Sequence, residues 1–315
     1  MSSYKGGAHG VMLHHFKNAE HTNGQGALTA DTFEEMLLAI GLERILSAEE
    51  WQDRAWLNKL EPQHVCLTFD DNLKCQYDVA LPILDKYKKT AFWFAYSSVF
   101  RGELELFELY RYFRTTQYND VDEFYSDFFA LAANHYPDRV PKIIREFPSS
   151  EYLRQFSYYS ETDRLFRFLR DEFLGLASYN DLMIRLFEKT GFDVRLAAKR
   201  LWLDDEHLAE LDRAGHVIGL HSYTHPTKIT DLSAEDQESE YARNYEHLTG
   251  VLGKQIKAVA HPNGRYDDRT LAILNRLGVT TGFRADLDFL DNRSRLELPR
   301  KDHAILASEL GIATC

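Results

Sequence analysis

The sequence lacks the features that would place it in a bilayer, on nucleic acid or in a disulfide-bonded scaffold. Its three cysteines, Cys66, Cys75 and Cys315, have unrelated spacings, which fit neither a disulfide framework nor a zinc knuckle and suit a reducing compartment. No apolar run approaches the roughly 18 residues of a transmembrane helix. The net charge of −12 excludes the basic surface that nucleic-acid binding requires.

The amino terminus also lacks the basic and apolar segments of a secretory signal. We therefore expect a cytoplasmic location, with peripheral contact to a membrane left open. What is present is ordinary for a globular protein, because 44% of the 315 residues are apolar and 27% are charged. A chain of this length can bury a large core.

Short apolar segments alternate with amphipathic ones over most of the chain. Residues 65–69 and 91–95 are near-continuous apolar runs, typical of strands buried on both faces, and residues 77–88 between them have a helical period. Such a strand, helix and strand form a βαβ unit and imply a parallel pair. The other predicted strands cover residues 11–13, 217–220, 256–260, 279–283 and 304–306. The alternation predicts an α/β fold with a barrel-like architecture.

Residues 99–201 interrupt this alternation with helical periods alone. Between residues 101 and 200 lie 21 of the chain's tyrosines and phenylalanines, which number 17 and 20 in all, at spacings typical of core-facing helical stripes. We predict a barrel formed by residues 1–98 and 202–315, with a helical insertion at 99–201. The insertion is a candidate lid, partner platform or dimerisation element, or a plain scaffold, so a homo-oligomer is one expectation.

Polar clusters follow four of the predicted strands. They are His14 and His15, Asp70 and Asp71, His221 to His225, and His261 to Gly264. Parallel strands end at one edge of a sheet, and α/β folds gather ligands and chemistry at that edge. We therefore expect the four clusters to contribute to one site.

The pair His221 and His225 offers two nitrogen ligands for a metal. Four residues apart, the two imidazoles would lie on the same side of a helical turn, which Pro226 stops. A catalytic zinc usually takes three protein ligands and leaves one position for water. The histidine pair therefore needs a third ligand and a base from elsewhere in the chain.

Asp70 and Asp71 are the candidates for that ligand and that base. Adjacent residues in a strand face opposite ways, so the two carboxylates can share a site only if the strand breaks there. Asn72, the next residue, favours such a break. One carboxylate can then bind a metal while its neighbour acts as a base.

Four short segments carry a resemblance to a known family. They are TFDD at residues 68–71, HSYTH at 221–225, AHPNG at 260–264 and VMLHH at 11–15. The first three resemble the first, second and third motifs of the NodB-type polysaccharide deacetylases, carbohydrate esterase family four. The fourth is similar to the opening of the subgroup that acts on surface polysaccharides. The resemblance spans residues 1–98 and 202–306.

The resemblance implies a distorted (β/α) barrel and a bound divalent ion of the zinc type. It implies that Asp71, His221 and His225 hold the metal and that Asp70 is the catalytic base. It also implies that the backbone N–H of Asn263 helps to stabilise the oxyanion. The candidates for contact with the substrate are His14, Pro262, Asn263 and Arg300.

Three positions depart from the family's pattern. Asn72 stands where a glycine usually follows the two aspartates, and Asn263 stands where an aromatic residue is usual. Ala260 occupies the place of an arginine that often orients the base. Arg300 is the candidate to replace that arginine.

The predicted function is a metal-dependent N-deacetylase that acts on an N-acetylated amino sugar in a surface-glycan precursor or polysaccharide. Asp70 would activate water, and a histidine would protonate the leaving amine. The family's acid motif has no clear counterpart, so His303 is the first candidate for the acid and His261 the second. Two alternatives stay open, namely a hydrolase of the same fold that cleaves a non-sugar amide or cyclic imide, and a non-catalytic glycan-binding barrel.

Overall fold

The computed structural model describes residues 7–24, 26–148, 151–153, 160–287 and 294–313. The chain divides into two compact units. The first comprises Met1–Glu105 and Arg200–Cys315, and the second comprises Leu106–Lys199. Within the described ranges, none of the helices has the length and apolar character of a transmembrane segment.

The first unit is built on parallel strands. In chain order they are β1 (His9–Leu13), β2 (Val65–Phe69), β3 (Phe92–Ala95), β4 (Val217–Leu220), β5 (Ala258–Ala260), β6 (Thr281–Phe283) and β7 (Arg300–Asp302). They form a seven-stranded sheet in the order β6-β5-β4-β3-β2-β1-β7, with every neighbouring pair parallel. Leu298, just before β7, bridges Phe283 of β6, so the sheet nearly closes. The predicted distorted (β/α) barrel is confirmed.

Alternate residues of the strands pack into two separate apolar clusters. Cys66 and Phe94 belong to one cluster, and Leu67 and Trp93, which point to the opposite face, belong to the other. Burial of each large apolar side chain stabilises the fold by about 1.5–3 kcal/mol. Gly219 in β4 makes room for this packing, because a Cβ at that position would lie 2.5 Å from the ring of Phe94.

Helices connect the strands and form the second unit. In chain order they are α1 (Ala30–Ile40), α2 (Ala48–Trp56), α3 (Leu81–Tyr87), α4 (Leu106–Gln117), α5 (Val121–His135), α6 (Val140–Glu146), α7 (Glu161–Phe168), α8 (Gly175–Thr190), α9 (Val194–Leu201), α10 (Asp205–Arg213), α11 (Ala234–Leu252), α12 (Asp268–Arg276) and α13 (His303–Leu310). Capping side chains begin several of them; Ser233, for example, accepts the N–H of Asp236 at the start of α11. Gly253, at φ 66°, ends the same helix.

The last predicted strand, at residues 304–306, is instead the first part of α13. The apolar run there has the composition of a strand, but Asp302 caps a helix by accepting the N–H of Ala304 at 2.8 Å. The helical period then buries Leu306 and leaves Ile305 55% exposed. The strand at this end of the chain is β7, which precedes the predicted one.

The second unit is helical, as predicted, and has a core of its own. None of its described residues lies in a strand. Its buried cluster is rich in aromatic rings, among them Phe113, Phe124, Phe166 and Phe187. The ring centroids of Phe113 and Phe187 lie 4.7 Å apart in an edge-to-face arrangement. The aromatic stripes of the sequence thus serve packing, and the role of the unit as a lid, partner platform or dimerisation element stays a prediction.

A buried histidine next to β4 gives the barrel a defined acid sensitivity. The Nδ1 atom of His216 accepts the N–H of Ala91 at 3.1 Å and the indole N–H of Trp93 at 3.2 Å. Burial lowers the pKa of His216 from 6.5 to about 4. Because the unfolded chain binds this proton more readily, the stability contribution is complete above the unfolded pKa and is lost as the pH falls toward the folded pKa.

Replacing His216 with glutamine, which keeps an acceptor but does not titrate, should reduce the acid sensitivity of the fold. Between pH 7.5 and pH 5, we expect the free energy of unfolding to fall by about 2 kcal/mol less in the variant than in the wild type. Urea unfolding at the two pH values measures the difference. An equal loss in both proteins would contradict the assignment.

Candidate active site

Asp70 and Asp71 lie where β2 ends and the backbone turns sharply. Asp71 has φ 74° and Asn72 has φ 43°, so two successive residues adopt left-handed backbone conformations. The predicted break of the strand is therefore present, and it turns both carboxylates toward one site. Asparagine tolerates this conformation better than most residues. The side-chain oxygen of Asn72 also accepts the N–H of Tyr96 at 3.2 Å, which fixes the turn against the end of β3.

The segment His221–His225 follows β4 but is not a helical turn. Ser222 has φ 62° and His225 has φ 57°, which a right-handed turn excludes. The expected helical turn is therefore wrong, although the two rings still lie close together, with centroids 4.8 Å apart. The N–H of His225 donates to the hydroxyl of Ser222 at 3.2 Å, so a side chain replaces the helical hydrogen bond.

One ligand atom each from Asp71, His221 and His225 lies within 4.8 Å of the others. Oδ1 of Asp71 is 3.4 Å from Nε2 of both histidines. The Nδ1–H of His221 donates to the carbonyl of Ala260 at 2.8 Å, so Nε2 is the ring nitrogen that faces the carboxylate. This arrangement brings the three predicted metal ligands together. It also shows that the contribution of Ala260 comes from its backbone carbonyl, not from its side chain.

The electrostatics of this triad fit a bound cation. Burial alone would raise the pKa of the Asp71 carboxyl, but His225, His221 and His14 hold it well below its usual range. Burial lowers the pKa of His225 to about 4, so its ring is neutral near pH 7, as a metal ligand must be. Oδ1 of Asp71 is buried and accepts no hydrogen bond from the residues that the structure describes. Two imidazole nitrogens and an unpaired carboxylate oxygen are donors that suit a zinc-type ion.

Asp70 forms an ion pair with a buried arginine, Arg300. The Nη1–H of Arg300 donates to Oδ1 of Asp70 at 2.6 Å, and its Nε–H donates to the carbonyl of Arg284 at 2.6 Å. The absence of a side chain at Gly10 makes room, because a Cβ there would lie 3.1 Å from Cγ of Arg300. Arg300 is 1% exposed. Its position fits the orienting role considered for it, and its burial removes it from contact with a substrate.

The arginine decides the charge of the carboxylate. Burial would raise the pKa of Asp70, but Arg300, with smaller contributions from His221 and His14, lowers it below its usual value. Asp70 is therefore ionised at neutral pH and able to accept a proton.

His14 faces both aspartates from the end of β1. Its Nε2 lies 3.8 Å from Oδ2 of Asp70 and 3.9 Å from Oδ2 of Asp71, and its side chain is 26% exposed. Gln76, which the motifs did not single out, donates from Nε2 to the carbonyls of His14 and Asp70 at 2.8 and 2.6 Å. This fully buried amide ties the ends of β1 and β2 together.

The two histidines predicted as the general acid are both bound to backbone carbonyls. Nε2–H of His303 donates to Gly26 at 2.8 Å, and Nε2–H of His261 donates to Leu296 at 2.7 Å. The His261 ring also stacks on Tyr266, and burial lowers its pKa to about 4. In each ring the Nε2 proton is thus engaged with the backbone.

Pro262 and Asn263 lie in a short 3₁₀ turn that directly follows β5. Pro262 is buried, whereas Asn263 is exposed and has φ 52°. Both residues therefore lie at the carboxyl edge of the barrel strands, where the four polar clusters were expected. Contact of these residues with a substrate stays a prediction.

The comparisons with known proteins agree with this geometry. Residues 179–282 match the family model described as polysaccharide deacetylase. This part of the chain is therefore similar to a polysaccharide deacetylase domain. The match includes both metal-site histidines, His221 and His225, and leaves the aspartate motif at residues 70–71 outside it. The resemblance inferred from the motifs is confirmed.

Solved structures share the fold of this chain. The Streptococcus pyogenes deacetylase PplD in complex with acetate is 19% identical, with a TM-score of 0.53, over 95% of this chain and 92% of that one. IcaB from Ammonifex degensii is 13% identical, with a TM-score of 0.56, over 97% and 96%. A de-N-acetylase from Aggregatibacter actinomycetemcomitans is 12% identical, with a TM-score of 0.50, over 93% and 92%. No match is found among curated protein sequences.

Proposed function

We propose that the chain is a metal-dependent N-deacetylase that releases acetate from an N-acetylated amino sugar of a glycan. The observation that carries the proposal is the convergence of Asp71, His221 and His225 beside Asp70, which is held as a carboxylate by Arg300. A metal triad next to an ionised base is the arrangement that hydrolysis of an amide requires. The polysaccharide deacetylase match and the de-N-acetylase of the same fold support the choice of substrate. Zinc as the metal stays a prediction.

In the proposed reaction, the residues of the chain move two protons. Asp71, His221 and His225 would hold a zinc-type ion, which would supply Lewis-acid activation of the acetyl carbonyl and of water. Asp70 accepts the proton of the attacking water, and the new C–O bond gives a tetrahedral carbon. The C–N bond then breaks as the amine takes a proton from a neighbouring acid. The products are acetate and the free amino sugar.

We assign the role of that acid to His14. It is the histidine outside the triad whose ring nitrogen lies within 4 Å of the aspartates among the described residues, and its partial exposure leaves it accessible to a substrate. The geometry favours it over His303 and His261, whose Nε2 protons are engaged with carbonyls. The substrate contact predicted for His14 becomes, in this proposal, a proton transfer to the leaving amine.

The proposed function is tested by acetate release. The purified chain is loaded with Zn²⁺ or Co²⁺ and given N-acetylglucosamine oligomers, nucleotide-linked N-acetyl sugars, and non-sugar amides including a cyclic imide. We expect acetate and free amine from an N-acetylated sugar, loss of both with a chelator, and recovery on addition of metal. Turnover of the non-sugar amides alone would favour the other hydrolase, and metal binding without turnover of any amide would favour a glycan-binding barrel.

Replacing His14 with glutamine should lower acetate release by about 10²–10⁴-fold, because the leaving amine loses its proton donor. Metal content, measured by elemental analysis, should stay at one ion per chain or close to it, since His14 is not in the triad. His303→Gln is the matched control and should retain most of the activity. The opposite ranking of the two variants would return the acid role to His303.

A further inference from the structure

Helix α11 forms hydrogen bonds with the segment His221–His225, the histidine turn, at two points. Asn244 and Glu240, four residues apart in α11, lie on the same face of the helix. The side-chain oxygen of Asn244 accepts the N–H of His221 at 3.0 Å, and its amide donates to the carbonyl of Ala95 at 2.9 Å. Asn244 is fully buried and so fixes the start of the turn against β3.

Glu240 holds the middle of the turn, between the two metal-site histidines. Its Oε2 accepts the backbone N–H groups of Tyr223 and Thr224 at 2.9 and 2.8 Å. Its Oε1 accepts the hydroxyl of Thr224 at 2.7 Å. The left-handed conformation of Ser222 turns these N–H groups outward, so a helix-type hydrogen bond does not satisfy them and the carboxylate does.

We propose that Glu240 is a positioning residue of the metal site. It is not one of the three ligands, but the three hydrogen bonds that it accepts fix the peptide that sets the separation of His221 and His225. A metal site tolerates only small errors in the positions of its ligands, so a turn that is free to relax binds the ion more weakly. The inference rests on the proposed metal-dependent function and deepens it.

The turn has a second attachment that keeps it folded without Glu240. The hydroxyl of Tyr223 donates to Glu103, and the guanidinium of Arg243 lies 3.4 Å from the centre of the Tyr223 ring. We therefore expect the turn to stay folded in Glu240→Gln, with its backbone held less rigidly. The amide keeps one acceptor oxygen but loses the charge and the second acceptor.

The test is the affinity of the metal-free chain for Co²⁺ and Zn²⁺, measured by visible absorption and by competition with a chelator. Glu240→Gln should weaken binding of the ion by about 10–100-fold, the usual effect of removing an outer partner of a metal site. Thr224→Val removes only the hydroxyl bond and should weaken binding by about two- to tenfold. Glu246→Gln, an exposed glutamate of the same helix, is the control for lost charge and should match the wild type.

The outcomes separate this inference from the proposed function. Failure of the wild-type chain to bind either ion would overturn the metal-dependent function itself. Binding by the wild type with equal affinity in Glu240→Gln and Thr224→Val would overturn the positioning role and leave the function intact. If Glu240→Gln does not fold, as judged by circular dichroism, Thr224→Val decides the question alone, because unchanged affinity contradicts the role and weakened affinity supports it.

Discussion

Replacing Asp70 with asparagine should remove nearly all acetate release while the metal still binds. The amide has the shape of the carboxylate but does not accept the proton of the attacking water, so turnover should fall by about 10²–10⁴-fold. The three ligands Asp71, His221 and His225 are unchanged, so elemental analysis should find the wild-type content of metal. The separation of lost turnover from retained metal is the signature of a base that is not a ligand.

His221→Ala is the matched comparison for this variant. It removes one of the three ligands and should therefore lose the metal together with activity. Circular dichroism and thermal unfolding should accompany both variants, since Asp70→Asn also leaves Arg300 without its anionic partner. Turnover of Asp70→Asn within tenfold of the wild type would remove Asp70 from the role of base.

The strands and the proximity of Asp71, His221 and His225 are the parts of the molecule that the sequence predicts well. Each strand before a polar cluster is a local pattern, and the run at residues 65–69 matches β2 residue for residue. The triad follows because parallel strands must end at one edge, which brings Asp71 to His221 and His225. The choice of Asp71 rather than Asp70 as the third ligand came from the resemblance to the family, since the residues alone left it open.

The contacts that prepare the site for catalysis are less accessible to sequence analysis. Gln76 and Asn244 belong to no motif. Gln76 binds the carbonyl of His14, which lies 62 residues away in the sequence, and Asn244 binds the carbonyl of Ala95, which lies 149 residues away. Asp70 and Arg300 are separated by 230 residues and meet because β7 pairs with β1; only the resemblance to the family made Arg300 a candidate to orient the base. A one-dimensional pattern does not specify such meetings.

The end of the chain shows how a local pattern misleads. The apolar run at residues 304–306 suggested a strand, but the cap at Asp302 makes it the start of α13. The same shift places His303 at the first helical position, where its ring is held by Gly26. His303 was the first candidate for the acid because it lies near the expected place of the family's acid motif, and its hydrogen bond to Gly26 is the reason why we propose His14 instead.

The departures from the family's motifs are compensated within this chain. Asn72 adopts the left-handed conformation that a glycine would, and it adds a hydrogen bond to the end of β3. Ala260 loses the usual arginine side chain, yet its carbonyl still orients His221. The guanidinium that binds Asp70 in this structure belongs to Arg300.

Replacing Arg300 with methionine should cost the fold about 3–5 kcal/mol, the usual effect of leaving one member of a buried ion pair without its partner. Both side chains are almost fully buried, so water does not replace the guanidinium beside Asp70. Urea unfolding of the metal-free chain measures the loss. Arg276→Met is the matched control, because its ion pair with Glu238 is exposed and should contribute about 1 kcal/mol or less.

Two further measurements test whether the unpaired Asp70 carboxylate causes the loss of stability in Arg300→Met. The double variant Asp70→Asn with Arg300→Met should be more stable than the sum of the single changes predicts, since neither charge remains. The deficit of Arg300→Met should also shrink in acid. Without the arginine, only His221 and His14 oppose the burial that raises the pKa of Asp70, so the folded carboxyl of the variant binds a proton at a higher pH than that of the wild type, and its buried charge is neutralised earlier as the pH falls. A deficit that is additive in the double variant and constant with pH would assign the loss to packing of the arginine side chain rather than to its charge.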